Sequence, residues 1–202
     1  PVYSIEGSVF IGGAVIQWLR DELKLINNAA ETDQIARSVD STNGVYIVPA
    51  FTGLGAPYWD MNSRGIISGI TRGTNSSHLV RASLESIAYQ VYDLFTAVQL
   101  DIESESSILQ VDGGASQNDF LMQFQADILN IKISRPENIE TTALGVALLA
   151  GLFVKFWSSP NDFKNIVKTN KSFVSSISSK NRSLLLSGWK EAISKTLTKK
   201  SK

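Results

Sequence analysis

The sequence contains no cysteine and only one histidine, His78. Disulfide bonds and thiolate metal sites are therefore excluded, nothing indicates secretion, and a lone histidine cannot form a metal site. We expect His78 to cap a helix or lie on the surface at the start of a long helix.

There is no Walker-A loop and no Ser-His-Asp set. The longest apolar run, at 143–154, is too short to span a bilayer, so we predict a cytoplasmic protein without a membrane segment.

The sequence has no net charge, because 19 Lys and Arg balance 19 Asp and Glu, but the charges are unevenly distributed. From Lys155 onward, eleven basic residues face two acids, whereas the preceding residues carry eight basic and seventeen acidic ones. A basic tail can bind nucleic acid or an acidic partner. Its aromatic residues are too sparse to stack bases. We therefore favour a solvated basic face and expect no nucleic-acid partner.

Hydrophobic periodicity predicts alternating helices and strands in the first three quarters of the chain. The predicted helices cover 8–26, 32–39, 76–98, a segment that carries Phe120, Phe124 and Ile128, and 141–154; the predicted strands cover 44–51, 65–70, 107–111 and 131–134. This alternation favours an α/β layered domain with a partly parallel sheet. The chain starts at Pro1 without a methionine, and we expect it to be part of a longer protein.

The last part of the chain differs in composition, being rich in Ser, Lys and Asn. Two helices are predicted there, at 161–168 and 183–197. We therefore divide the chain into a domain at 1–155 and a basic helical appendage of the same domain at 156–202. The appendage is expected to be peripheral, without a core of its own.

Two adjacent glycines stand where a predicted strand passes into a helix, in VDGGASQNDF at 111–120. Ser116 and Asp119 have the spacing of a capping box, which places Gly113, Gly114 and Ala115 in the turn. Amides at a helix N-terminus attract anions, and missing Cβ atoms let a ligand lie on the main chain. A nucleotide site and a tight turn that only requires positive φ both explain the pattern.

A second glycine pair, Gly12-Gly13, lies inside the helix predicted at 8–26. A glycine within a helix costs on the order of 1 kcal/mol relative to alanine. Two in a row indicate that something approaches the backbone closely, either another helix or a ligand. In the second case Gln17, one turn later, offers an amide to the ligand.

The segment PAFTGLGAPYWD, at 49–60, is rich in glycine and proline and is predicted to be an irregular structural loop. We expect the aromatic side chains of Phe51, Tyr58 and Trp59 to bury this loop.

Several long segments resemble one known family. They are EGSVFIGGAVIQWLRDELKLI, TNGVYIVPAFTGLGAPYWD, LESIAYQVYDL, VDGGASQNDFLMQFQADIL and TALGVALLAGL, and together they span roughly 5–155. The chain resembles the C-terminal domain of the carbohydrate kinase family, within the actin/hexokinase-type ATPase superfamily. Residues 65–85 fit the second signature of that family, and VPAFTGLGAPYWD is similar to the glycerol kinases in particular.

The resemblance implies a role for each glycine pair. Gly114 corresponds to a backbone contact and Asn118 to a side-chain contact with the nucleotide, while Gly13 matches the second nucleotide-contacting glycine. Gln17 is a weaker candidate beside it. Gly113 and Ala115 are expected to support the turn. The implied reaction uses ATP with Mg²⁺ and passes the γ-phosphoryl group to a glycerol hydroxyl.

The resemblance also implies what the chain does not contain. We expect an actin/RNase H-like ATPase domain, with a mixed sheet flanked by helices, that lacks its first strands. The first phosphate-binding turn, the catalytic aspartate and the residues that hold glycerol are expected to precede Pro1. We therefore name no catalytic or metal-binding residue, expect the chain alone to be inactive, and expect the full-length enzyme to be a homo-oligomer.

Two alternatives remain open from the sequence. The first is another sugar or polyol kinase of the same family, because the residues that choose the acceptor are expected before Pro1. The second is a non-catalytic nucleotide-binding or interaction module whose basic tail is its contact surface.

Overall fold

The fold is built around one long helix against which other helices pack. A computed structural model describes residues 5–102 and 106–198. The helices are α1 Ala14–Asp21, α2 Glu31–Arg37, α3 Ser76–Ile102, α4 Asp119–Leu129, α5 Thr141–Phe153 and α6 Ser179–Thr196, with short 3-10 helices at Gly114–Gln117 and Pro160–Asn165. The strands are β1 Tyr46–Val48, β2 Ile66–Ser68, β3 Ile108–Gln110, β4 Lys132–Pro136 and β5 Thr169–Phe173.

The described strands form two small sheets. In the larger sheet, with order β3-β4-β5, β3 is parallel to β4 and β5 is antiparallel to β4. Helix α4 connects β3 to β4, because two parallel neighbouring strands need a long crossover connection, which is usually a helix. Strands β1 and β2 form a separate antiparallel pair in which Ile47 faces Ile67. The predicted mixed sheet flanked by helices is confirmed. Strands β1 and β2 of the separate pair and β3 and β4 of the mixed sheet lie where the apolar runs predicted strands.

The core lies along α3, in which every residue from 82 to 89 is buried, so the middle of this helix is covered on all sides. Tyr89, at its centre, is 1% exposed. Its ring stacks on Trp189 of α6 at 5.1 Å and meets the edge of Phe124 of α4 at 5.4 Å. One aromatic cluster therefore joins the long helix to α4 and to the C-terminal helix.

The C-terminal region is part of this core, and the expectation of a peripheral helical appendage is wrong. Trp189 is fully buried, and Phe173 of β5 is 5% exposed. The amide of Thr198 donates to Asp60 at 2.7 Å. The helix predicted at 161–168 is a short 3-10 helix followed by a strand, because pairing with β4 overrides the local pattern. The helix predicted at 183–197 is confirmed as α6.

Helix α1 is shorter than predicted. It begins at Ala14, with Gly13 as its N-cap, so Gly12 and Gly13 precede the helix and do not lie inside it. Glycine is among the residues that helix N-caps tolerate well. The interpretation of these glycines as a helix-interior defect is therefore wrong.

The single histidine lies where the sequence predicts it, in the first turn of α3. Its Nδ1 accepts from the amide of Asn75 at 3.1 Å, and its own amide donates to Oδ1 of Asn75 at 3.2 Å. These reciprocal bonds satisfy two amides of the helix start, and the capping role of His78 is confirmed.

The loop at 49–60 is only partly covered by its aromatic residues. Phe51 packs on Trp18 at 5.2 Å, and the hydroxyl of Tyr58 donates to Asp93 at 2.8 Å. Trp59, however, is 70% exposed, at a φ of 50°. The expectation that it buries the loop is therefore wrong.

Helix α5 contains the longest apolar run, yet none of its residues is buried. Val146, Leu149 and Phe153 are each at least 65% exposed. No helix among residues 5–102 and 106–198 is long and apolar enough to cross a membrane.

Candidate nucleotide-binding site

The four residues predicted to bind a nucleotide line one cleft. Its volume is about 410 Å³, and Gly13, Gln17, Gly114 and Asn118 all contribute to its wall. The fold brings together the start of α1 and the turn between β3 and α4, which lie far apart in the sequence. Apolar side chains form another part of the wall: Ile16, Ala29, Ala30, Leu84, Ile87 and Leu121.

The two glycines that line the cleft, Gly13 and Gly114, and their neighbours Gly12 and Gly113 fall into two groups. Gly113 has φ 75° and ψ 175°, which is backbone geometry that only glycine adopts readily. Its amide donates to the Ile139 carbonyl at 2.9 Å, which holds the turn in this geometry. The turn itself therefore requires this glycine. At Gly12, Gly13 and Gly114, by contrast, an added Cβ meets no described atom within 4 Å.

The glycines of the second group have open space where a side chain would stand. No helix among the described residues packs on Gly12-Gly13, so the alternative of a close helix is wrong for this part of the chain. Packing among residues 5–102 and 106–198 does not require these glycines. Their missing Cβ atoms leave open main chain at the cleft, which a ligand can approach closely.

Helix α4 is capped by Asn118, and the predicted capping box of Ser116 and Asp119 is wrong. The Asn118 Oδ1 accepts from the Leu121 amide at 2.9 Å. Ser116 lies in the preceding 3-10 turn, and its hydroxyl donates to the Gly113 carbonyl at 2.7 Å. The extra turn moves the helix start two residues along the chain, and Asn, like Ser, is a favoured cap.

Asp119 points to the sheet instead. It accepts from Arg135 at 2.9 Å and from Lys171 at 2.6 Å. Partial burial raises the pKa of Asp119, but these two cations lower it by more, so that it lies below its ordinary value. The pair links the start of α4 to β4 and β5, and thereby holds the turn before it in place.

Helix α2 forms the wall opposite the turn, and its role was missed in the sequence. The Thr32 hydroxyl accepts from the Asn118 side chain at 2.9 Å, and Asp33 accepts from the Phe120 amide at 2.6 Å. Asp33 also binds Arg37 at 2.7 Å. Partial burial raises the pKa of Asp33, but the hydrogen bonds from Arg37 and Phe120 outweigh it and leave the pKa below its ordinary value.

The polar side chains at the cleft differ in what they already bind. Gln17 is exposed and makes no side-chain hydrogen bond within residues 5–102 and 106–198, so its amide is available. Arg20 is paired with Asp21 at 2.7 Å. In the same described part of the chain, no group of three or more His, Asp or Glu side chains is placed to hold a metal ion. The cleft therefore combines an apolar wall, open backbone and a few amides, which suits a flat ligand with polar edges.

Comparison with known proteins places the chain in a family. The C-terminal domain of the FGGY family of carbohydrate kinases matches residues 1–153. The chain belongs to this family. The resemblance found in the sequence is thereby confirmed.

Individual relatives of the FGGY family agree with this placement. The chain is 55% identical over 195 residues to a protein named glycerol kinase from Shewanella woodyi, and 51% identical over 195 residues to one from Clostridium botulinum. Each alignment covers 96% of this chain and 39% of the relative. The chain thus spans about two fifths of the length of these curated relatives.

Solved structures of the same family confirm the fold. The structure of Plasmodium falciparum glycerol kinase with ADP matches 96% of this chain and 38% of its own, with a TM-score of 0.88 and 38% identity. A xylulose kinase from Lactobacillus acidophilus matches 93% of the chain and 38% of its own, with a TM-score of 0.74 and 22% identity, which supports the fold alone. The predicted actin/hexokinase-type ATPase fold is confirmed.

Proposed function

We propose that this chain is the ATP-binding C-terminal part of a glycerol kinase, which transfers the γ-phosphoryl group of ATP to glycerol. One observation carries the proposal: the four residues that the family resemblance selects lie around a single cleft. Glycerol as the acceptor rests on the relatives of 51–55% identity, which are named glycerol kinases.

The cleft suits the base and the first part of a nucleotide. The apolar wall accepts a flat purine ring, and Asn118 and Gln17 offer amides to its polar edges. The start of α4 favours negative charge, because the helix dipole has its positive end there, although the amides of Phe120 and Leu121 are already bound to Asp33 and Asn118. Gly13 and Gly114 let the nucleotide lie against the main chain. The chain's contribution is to bind and orient ATP.

Catalysis is assigned to the remainder of the enzyme. The described residues offer no cluster of acidic ligands, so we name no Mg²⁺ ligand in them and route no step through the ion. We propose that Mg²⁺ is carried by the phosphates, that the general base and the glycerol site lie outside this chain, and that the enzyme is a cytoplasmic homo-oligomer. The domain division at residue 155 stays a proposal.

The test is an assay of the full-length kinase with Mg-ATP and three acceptors: glycerol, xylulose and gluconate. We expect glycerol 3-phosphate as the product and turnover with glycerol to exceed the others. Preference for another acceptor would replace glycerol kinase by a different kinase of the family. Absence of turnover with all three, despite ATP binding, would support a non-catalytic module.

The site is tested separately by Asn118→Ala. We expect the KM for ATP to rise about tenfold, since a lost hydrogen bond to a ligand costs about 1 kcal/mol or more, while the KM for glycerol stays within about twofold. Asn181→Ala, at an exposed position of α6, is the matched control and is expected to change neither. An unchanged KM for ATP in Asn118→Ala would remove Asn118 from the proposed site.

The 202-residue chain alone is expected to show no turnover above background.

A further inference from the structure

Thr32 of α2 makes two hydrogen bonds through one hydroxyl group. It is 1% exposed, and its Oγ1 donates to the Ala29 carbonyl at 2.6 Å. The same oxygen accepts from Nδ2 of Asn118 at 2.9 Å. A buried threonine at the start of a helix therefore contacts the side chain proposed to bind the nucleotide.

The donors and acceptors fix the orientation of the Asn118 amide. The Leu121 amide can only donate, so the atom it faces must be Oδ1. The hydroxyl hydrogen of Thr32 is used by the Ala29 carbonyl, so Thr32 can only accept, and the atom facing it must be Nδ2. Capping of α4 needs the first bond alone. The second bond, which Nδ2 of Asn118 donates to Thr32, holds the amide at its other end.

Helix α2 is itself held in place, so Thr32 is a fixed partner. Asp33 accepts from the Phe120 amide at 2.6 Å, which ties α2 to the start of α4. Arg81 of α3 donates to the carbonyls of Ala36 and Val39, just beyond Thr32 along the chain. The bond from Asn118 to Thr32 thus joins two elements that other contacts of the fold already hold together.

We infer that Thr32 is a positioning residue for nucleotide binding, which acts by holding the Asn118 amide in one orientation at the cleft. This inference rests on the proposed function. With one N–H and one lone pair already used, Asn118 keeps one donor and one acceptor for a ligand. A partner that fixes their directions before binding lowers the ordering cost of binding.

The test compares Thr32→Val with Thr32→Ser in the full-length kinase, by calorimetric titration with Mg-ADP and separately with glycerol. Valine keeps the volume and removes both bonds, so we expect the Kd for Mg-ADP to rise about five- to tenfold. Serine keeps the hydroxyl, and the Kd is expected to stay within about twofold of the wild type. The Kd for glycerol should not change in either variant.

Thr196→Val is the matched control for stability. Thr196 is also buried, and its hydroxyl donates to the Ala192 carbonyl at 2.9 Å, but it does not line the cleft. We expect it to lower the melting temperature as Thr32→Val does, without changing the Kd for Mg-ADP. If Thr32→Val does not fold, Thr32→Cys replaces it, because a thiol is a weaker acceptor; its expected effect is about threefold.

A double-mutant cycle with Asn118→Ala shows through which residue Thr32 acts. We expect Thr32→Val to weaken binding no further when Asn118 is already alanine. A wild-type Kd in Thr32→Val, or an equal loss in the Asn118→Ala background, would overturn the positioning role while the proposed function stands. If the wild-type kinase does not bind Mg-ADP, the proposed function fails, and the inference fails with it.

Discussion

The indole Nε1 of Trp189 donates a 2.7 Å hydrogen bond to the carboxylate of Asp93, although the two residues lie on different helices, 96 residues apart in the sequence. The same carboxylate oxygen accepts from the Tyr58 hydroxyl at 2.8 Å. Burial raises the pKa of Asp93 above its ordinary value, although both hydrogen bonds lower it. Asp93 thereby joins α6, α3 and the loop at 49–60 in one buried contact.

The first prediction concerns this contact. Trp189→Phe keeps an aromatic ring against Tyr89 but removes the donor, so a buried carboxylate loses one of two partners. We expect a loss of about 1–3 kcal/mol in the free energy of unfolding, measured with urea. Trp59→Phe, at a position that is 70% exposed, is the matched control and should stay within about 0.5 kcal/mol. Equal effects of the two changes would show that the hydrogen bond contributes nothing.

The second prediction compares two glycines inside helices. At Gly188 of α6 an added Cβ overlaps the Tyr46 hydroxyl, and that hydroxyl donates to the Leu185 carbonyl at 3.3 Å and cannot move freely. At Gly145 of α5 an added Cβ meets no described atom within 4 Å. We expect Gly188→Ala to destabilise by about 1–3 kcal/mol through overpacking, and Gly145→Ala to stabilise by up to about 1 kcal/mol. Thermal unfolding measures both, and a stabilised Gly188→Ala would contradict the packing described at Tyr46.

The third prediction is a pH dependence that arises from Glu85. Its side chain is 3% exposed, and burial raises its pKa to about 7, although Arg81 lies 2.8 Å away and opposes the shift. Because this pKa lies above that of the unfolded chain, about 4.3, the folded state binds the proton more tightly. The stabilisation is complete below about pH 4 and is lost as the pH rises through 7.

Glu85→Gln tests this dependence, because glutamine resembles the protonated form and does not titrate. Between pH 5 and pH 8, the wild type should lose about 2–3 kcal/mol more free energy of unfolding than Glu85→Gln loses. Urea unfolding at the two pH values measures the difference. Parallel pH profiles for the two proteins would mean that Glu85 keeps an ordinary pKa.

The fourth prediction separates the two glycines of the turn before α4. Gly113→Ala puts a side chain on a backbone geometry that only glycine adopts readily. It should lower the free energy of unfolding by about 1–3 kcal/mol. Gly114→Ala has room for its methyl group and should leave stability within about 0.5 kcal/mol, yet it should weaken Mg-ADP binding by the full-length kinase, since the methyl group enters the cleft. Thermal melting and calorimetric titration of both variants check this. Unchanged binding in Gly114→Ala would place the nucleotide elsewhere.

Long, strongly periodic features could be predicted from the sequence. The apolar spacing of α3 locates a buried helix of many turns, and the Gly113-Gly114 pair marks a turn that lies at the cleft. These features depend on local residues alone. The family resemblance then identified which side chains beside the glycines face a common cleft.

Features that depend on distant partners could not be predicted. Strand β5 is polar apart from Phe173 and has no periodicity of its own, so only β4 makes it a strand. Ser116 and Asn118 are both good caps, and the 3-10 turn chooses between them. Thr32 was visible at the start of a predicted helix, but nothing local shows that its hydroxyl faces Asn118.

The burial of Trp189 against Tyr89 also sets the order of events during synthesis. Roughly 100 residues separate the two rings, and translation at about 5–20 residues per second takes on the order of 5–20 s to cover that distance. During this interval α3 is completed and leaves the ribosome before its aromatic partner has been made. The nascent chain therefore exposes an apolar surface for seconds, and a chaperone that binds there would compete with aggregation until α6 arrives.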